Sequence, residues 1–69
     1  MGGMELYLNG EIRQFDDGLD VAALVALLGL AQQRLAVEVN RSIVPKSRHA
    51  GYLLKDGDRV EIIQAMGGG

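Results

Sequence analysis

Asn9-Gly10 stands between two short runs of alternating polarity, and no other pair of residues narrows the fold of this chain so much. Both residue types tolerate positive φ, which a two-residue type I′ hairpin requires at both central positions. Before the pair, Met4, Leu6 and Leu8 alternate with Glu5 and Tyr7, the period of a strand buried on one face. Residues 11–15 then return antiparallel to it, and Asp16-Asp17-Gly18 closes the hairpin.

After the hairpin the period changes. Asp20 can accept from the first free N–H groups of a helix, so it caps a helix predicted over residues 21–28. Gly29 ends that helix in the left-handed conformation, and Leu30 folds back on the last turn. Val21, Leu24, Val25, Leu27 and Leu28 form one broad apolar stripe for the core, with Ala22, Ala23 and Ala26 on the other side. That outward side carries no charge and reads as alanine placed for helix propensity.

Residues 35–39 alternate again as a third strand, turning at Asn40-Arg41 and continuing through Ile43-Val44 until Pro45 stops it. Residues 46–54 are weakly patterned. Lys55-Asp56-Gly57-Asp58 marks a tight turn, and residues 59–66 form the last strand. Val60, Ile62, Ile63 and Ala65 place apolar groups on both parities, which predicts a central strand, parallel to the first. The expected architecture is α+β: a β-grasp, ubiquitin-like fold, with a mixed sheet of four to five strands packed on one helix. Residues 1–66 make a single domain, and residues 67–69 a flexible functional C-terminal tail.

The chain of 69 residues has no Cys to staple it, so one apolar core must suffice, burying only about 60% of the unfolded surface. The lack of Cys also excludes thiol chemistry and fits a cytoplasmic location. The longest apolar stretch, residues 21–31, is well short of the ~20 residues that cross a bilayer. Met1-Gly2-Gly3-Met4 lacks a basic leader, and Leu6 stands where a myristoylation signal needs Ser or Thr, so no membrane partner is expected. A pI near 5.1 with no basic, aromatic stripe argues against nucleic acid. Charge is uneven: residues 1–31 hold five carboxylates and one arginine, residues 32–69 four carboxylates and six basic groups.

The candidate chemistry lies at the end, Ala65-Met66-Gly67-Gly68-Gly69. Three residues without Cβ make a thin strip able to enter a narrow slot, and they leave the Gly69 carboxylate unhindered. An inert tail is the alternative. His49 is the sole histidine and has only Ser42, Ser47 or a carboxylate for company, so it reads as structural and no catalytic residue is assigned. Asp56-Gly57-Asp58 lacks the further oxygen ligands of a calcium loop, and no metal site is expected. Lys46, Arg48 and Arg59 are read either as solvated surface or as a dock for an acidic patch near the tail.

Taken together, Leu8-Asn9-Gly10-Glu11, the helix end Leu28-Gly29-Leu30, Ala36-Val37-Glu38-Val39-Asn40-Arg41 with Ile43-Val44-Pro45, Lys46-Ser47 with His49-Ala50, Asp56-Gly57-Asp58-Arg59-Val60-Glu61-Ile62 and the Gly-Gly end are similar to one family nearly end to end. The chain resembles the ThiS family, the sulfur carrier proteins of thiamine biosynthesis. Met1 to Gly3 falls outside the pattern, leaving Met4 as an alternative start, and Met66 replaces a smaller β-branched residue. The resemblance implies a protein co-substrate with no bound cofactor. An E1-like adenylyltransferase, consuming ATP, joins the Gly69 carboxylate to AMP. Sulfur from a sulfur donor protein displaces AMP, and the resulting thiocarboxylate supplies thiazole synthase. Gly69 carries the sulfur, while Gly68 and Gly67 give access to the adenylation slot. The small subunit of molybdopterin synthase uses the same thiocarboxylate chemistry. A ubiquitin-like protein modifier and a plain interaction domain are the other readings.

Overall fold

The computed structural model describes residues 3–65; Met1, Gly2 and residues 66–69, the three terminal glycines among them, lie outside the described residues. Five strands and one helix follow in the order β1 (Met4–Leu8), β2 (Glu11–Phe15), α1 (Val21–Leu27), β3 (Leu35–Val39), β4 (Ser42–Val44) and β5 (Arg59–Gln64), with a 3-10 turn at Lys46–Arg48. The sheet order is β2-β1-β5-β3-β4. β1 and β5 run parallel and every other neighbouring pair antiparallel. This is the expected mixed β-grasp sheet, with the last strand at its centre beside the first.

Both hairpins form at the expected turns. Asn9 and Gly10 have φ of 50° and 85°, and Asn40 and Arg41 of 52° and 72°, so each turn has positive φ at both central positions. The first turn sets the register Leu8↔Glu11 through Met4↔Phe15. That register turns Met4, Leu6 and Leu8 toward the helix, all buried.

Asp20 caps α1 by accepting from Ala23 N–H at 2.8 Å, and its other oxygen accepts from Gly51 N–H at 2.9 Å. These bonds, Gly51 first and Ala23 second, hold the carboxyl below its ordinary pKa. At the other end Gly29 takes φ 74°, its N–H donates to Ala26 C=O, and Leu30 N–H reaches back to Val25 C=O, each at 3.0 Å. This pair of bonds is a Schellman closure. It satisfies two carbonyls of the last turn and ends the helix one residue earlier than predicted, with Leu28 as its cap.

Val21, Leu24 and Val25 meet Leu6, Val37, Val39 and Val60 in the core, and burial of each such side chain contributes about 1.5–3 kcal/mol. Leu27 departs from the predicted stripe and is 67% exposed. At roughly 100° per residue, Val21, Leu24, Val25 and Leu28 fall within one arc of about 100°, whereas Leu27 lies about 60° beyond its edge, beside Ala23. Ile63, on the other face of β5, is 55% exposed. β5 is central, yet only one face of the sheet is covered, so its outward apolar residues meet solvent.

The weakly patterned segment between β4 and β5 is ordered by main-chain bonds to the helix start. Ala22 N–H donates to His49 C=O, Val21 N–H to Tyr52 C=O and Leu54 N–H to Leu19 C=O. Leu54 and His49 are thereby buried.

Candidate functional site

The predicted site residues Gly67, Gly68 and Gly69 lie outside the described residues, as does Met66 at the predicted end of the last strand. What the fold builds is the root from which they continue. Along β5 the backbone bonds alternate in direction. Asn40 N–H donates to Arg59 C=O at 2.7 Å, and Ala65 N–H to Arg34 C=O at 3.0 Å, so the odd-numbered residues exchange bonds with the β3 side. The even-numbered residues face β1: Tyr7 N–H donates to Asp58 C=O at 3.0 Å and Asn9 N–H to Val60 C=O at 2.9 Å.

At Asn9 the chain of β1 turns off into the hairpin, and a side chain takes over from the main chain. Ile62 N–H donates to Asn9 Oδ1 at 2.8 Å, and Asn9 Nδ2 donates to Ile62 C=O at 3.3 Å. The carboxamide mimics one further peptide group of β1. Asn40 acts comparably at the opposite end of β5, accepting from Arg59 N–H at 3.0 Å while donating to Asp58 Oδ1 at 2.9 Å. Neither role is signalled by the sequence, where both asparagines read only as turn residues.

Two clefts flank this root. One, of about 270 Å³, lies beside Asn9, Ile62 and Gln64, with Leu28 and Leu30 among its walls and Glu11 and Arg13 at its edge. The other, of about 470 Å³, lies between α1, the 3-10 turn and the segment before β3, and brings Arg34, Lys46 and His49 together beside Val25 and Leu35. Sequence reasoning missed Arg34. The signal that finds it is the β3–β5 register, which sets Ala65 opposite it.

The remaining candidates resolve into structural roles. His49 is buried, with Nε2 3.1 Å from Val44 C=O, and its main-chain carbonyl accepts from Ala22 N–H. Asp56 Oδ1 accepts from Glu5 N–H at 2.7 Å and Asp58 Oδ2 from Lys55 N–H at 2.9 Å, so the Asp56-Gly57-Asp58 segment is a turn tied to β1. Among the described residues no group of three or more His, Asp or Glu is placed to hold a metal ion. Two of the three basic candidates lie apart: Lys46 lines the larger of the two clefts, whereas Arg59 lies with Tyr7, Asn40 and Arg41 in a separate depression. No described helix is long and apolar enough to cross a membrane.

Comparison with known proteins agrees with this geometry. The ThiS family profile matches residues 6–69, a span that includes the terminal glycines. The crystal structure of the thiamine biosynthesis protein ThiS from Geobacter metallireducens superimposes with a TM-score of 0.78, at 36% identity, over 96% of this chain and 100% of that one. The sulfur carrier protein ThiS of Escherichia coli strain K12 is 30% identical over 96% of this chain and its own full length. A thiazole synthase of Paramagnetospirillum magneticum is 46% identical over 66 residues, but the chain spans only 20% of that protein's length. A thiazole synthase of Magnetococcus marinus, 32% identical, is likewise matched over 20% of its length.

Proposed function

The chain belongs to the ThiS family, and from that premise we propose that it is the sulfur carrier of thiamine biosynthesis, a cytoplasmic protein co-substrate whose C-terminal glycine is the reacting group. The observation that carries this reading is the family match running through residue 69, so that the glycines fall inside the family pattern. The chemistry follows from the electrophile. A carboxylate resists attack because a nucleophile would have to expel oxide, so the Gly69 carboxylate first attacks the α-phosphorus of ATP and releases pyrophosphate. The acyl-adenylate then has AMP as its leaving group. A persulfide sulfur displaces it, and after a thiol cleaves the S–S bond the terminus is a thiocarboxylate.

The division of labour suits this fold. Activation is assigned to an E1-like adenylyltransferase and sulfur to a donor protein. Thiazole synthase is the acceptor, a choice supported by the two thiazole synthases that contain a matching segment. Gly68 and Gly67 keep the approach to the adenylation slot narrow. Incubation with ATP, the adenylyltransferase and a sulfur donor, followed by intact mass measurement, tests the reading. Exchange of one oxygen for one sulfur is expected. Lysine adducts would point to a protein modifier, and an unchanged mass would overturn the carrier reading.

A further inference from the structure

Asn9 closes β5 against β1, and it is also the residue of this chain most open to attack by its own backbone. A side-chain carboxamide is most easily reached by the next main-chain nitrogen when that nitrogen belongs to glycine, which sets no Cβ in the way. Asn9-Gly10 is the only such pair in the sequence. Both residues are exposed to water, and nothing lies within 4 Å of where a Cβ of Gly10 would stand. Gly10 N–H makes no main-chain bond among the described residues. What holds the reaction back is the pairing with β5, in which Asn9 Oδ1 accepts from Ile62 N–H at 2.8 Å and Asn9 Nδ2 donates to Ile62 C=O at 3.3 Å. A ring between Asn9 and Gly10 needs the carboxamide carbon turned onto the Gly10 nitrogen, and that turn must release both bonds.

We propose that Asn9 is a site of spontaneous covalent modification, deamidation through a cyclic imide, guarded in the folded chain by its two bonds to Ile62, and that conversion unfastens β5 from β1 at this rung. The Gly10 nitrogen loses its proton and bonds to Asn9 Cγ, while the Cγ–Nδ2 bond breaks and ammonia leaves with that proton. Water then opens the imide. Cleavage between Cγ and the Gly10 nitrogen gives aspartate, and cleavage of the original peptide bond gives isoaspartate, whose main chain runs through Cγ. Either product spoils the rung. In aspartate an anionic acceptor stands where Nδ2 donated, facing Ile62 C=O with no proton between them. In isoaspartate an extra main-chain carbon enters a two-residue turn, which then cannot keep the Leu8↔Glu11 register. Asn40 is a built-in comparison: its turn has the same positive φ at both central residues, but a side chain follows it on Arg41, and its carboxamide is held by Arg59 N–H and Asp58 Oδ1.

The test holds the full-length chain in warm, near-neutral buffer, with and without urea, and locates aspartate and isoaspartate by peptide mapping. In urea, conversion at position 9 is expected to outrun that at Asn40. Without urea it is expected to slow about tenfold or more, the scale of two hydrogen bonds that must open first. A synthetic full-length chain with the Glu61–Ile62 amide replaced by an ester lacks the Ile62 N–H alone. Shown by its melt to be folded, it is expected to convert about fivefold faster than the folded parental chain. In the converted chain, and in Asn9→Asp, Ile62 N–H is expected to exchange about tenfold faster than in the parental chain, alone or with the whole fold. Absence of conversion at position 9 in urea overturns the site. Equal rates with and without urea, or a folded ester chain that converts no faster than the parental one, overturn the guard. Parental exchange of Ile62 N–H in the converted chain overturns the unfastening.

Discussion

The two ends of β5 are built differently. At Arg59 the strand is held from both sides, by Asn40 main chain and side chain on one edge and by the β1 ladder at Tyr7 on the other. By Ala65 a single bond remains among the described residues, to Arg34 C=O, after the Asn9 carboxamide has closed the β1 side at Ile62. The first end shares the core of the domain, with Val60 fully buried between neighbours, whereas Gln64 and Ala65 are exposed. One six-residue strand thus carries anchorage at one end and presentation at the other. The lesson is that the anchorage of a single element ends where its hydrogen-bonding partners stop.

The sharpest attempt to break this contrast is Ile62→Ala, which cuts into the anchored part just before the edge opens. Ile62 is 8% exposed in the core, so truncation is expected to cost about 2–5 kcal/mol, comparable to the whole stability of a small domain. Urea unfolding reads this directly, and a midpoint near parental would show that anchorage ends earlier than Ile62. Gly10→Val probes the turn that holds Asn9 in place. A Cβ there meets nothing within 4 Å, so the cost comes from the backbone alone, at φ 85°, and is expected at about 1–3 kcal/mol in a thermal melt. An unchanged melting temperature would mean that the turn does not fix Asn9.

Deleting Gly68 and Gly69 sharpens the contrast from the other side. Stability is expected to change by less than about 0.5 kcal/mol, the range for substitutions away from packed features, while adenylation is lost because roughly 7 Å of reach is removed. Pyrophosphate exchange at near-parental rate by the shortened chain would contradict the proposed role of Gly69.

Much of this fold was legible because it is specified by local chemistry. Asn9-Gly10 announces its hairpin through residues tolerant of positive φ, Asn40-Arg41 marks the second turn although Arg41 is not such a residue, and Asp20 and Gly29 bracket the helix. The central, parallel position of β5 followed from its apolar content and the βα order. Less legible were the features that depend on partners distant in sequence. The exposure of Leu27 follows from which arc of a seven-residue helix meets the sheet, and that of Ile63 from a sheet covered on one face only. The bond from Ile62 to Asn9 spans 53 positions, and no local pattern marks it. At the candidate site the motif itself was plain in the glycines. Its root, made of Asn9, Arg34 and Gln64, emerges only once the register of β5 against β1 and β3 is known.

The central place of β5 also bears on the order in which the molecule can be assembled. Before β5 is available, β1 with β2 and β3 with β4 are two separate hairpins that share no strand pairing, because each is joined to the other only through β5. Long-range pairings of this kind close late in folding, after their loop-closure entropy has been met. On a ribosome, synthesis must therefore pass the residues of β5 before the sheet can complete. A chain interrupted short of them leaves two hairpin edges unpaired, the kind of surface that marks a polypeptide for aggregation or removal. Completion of the sheet reports that translation has reached the strand at its centre.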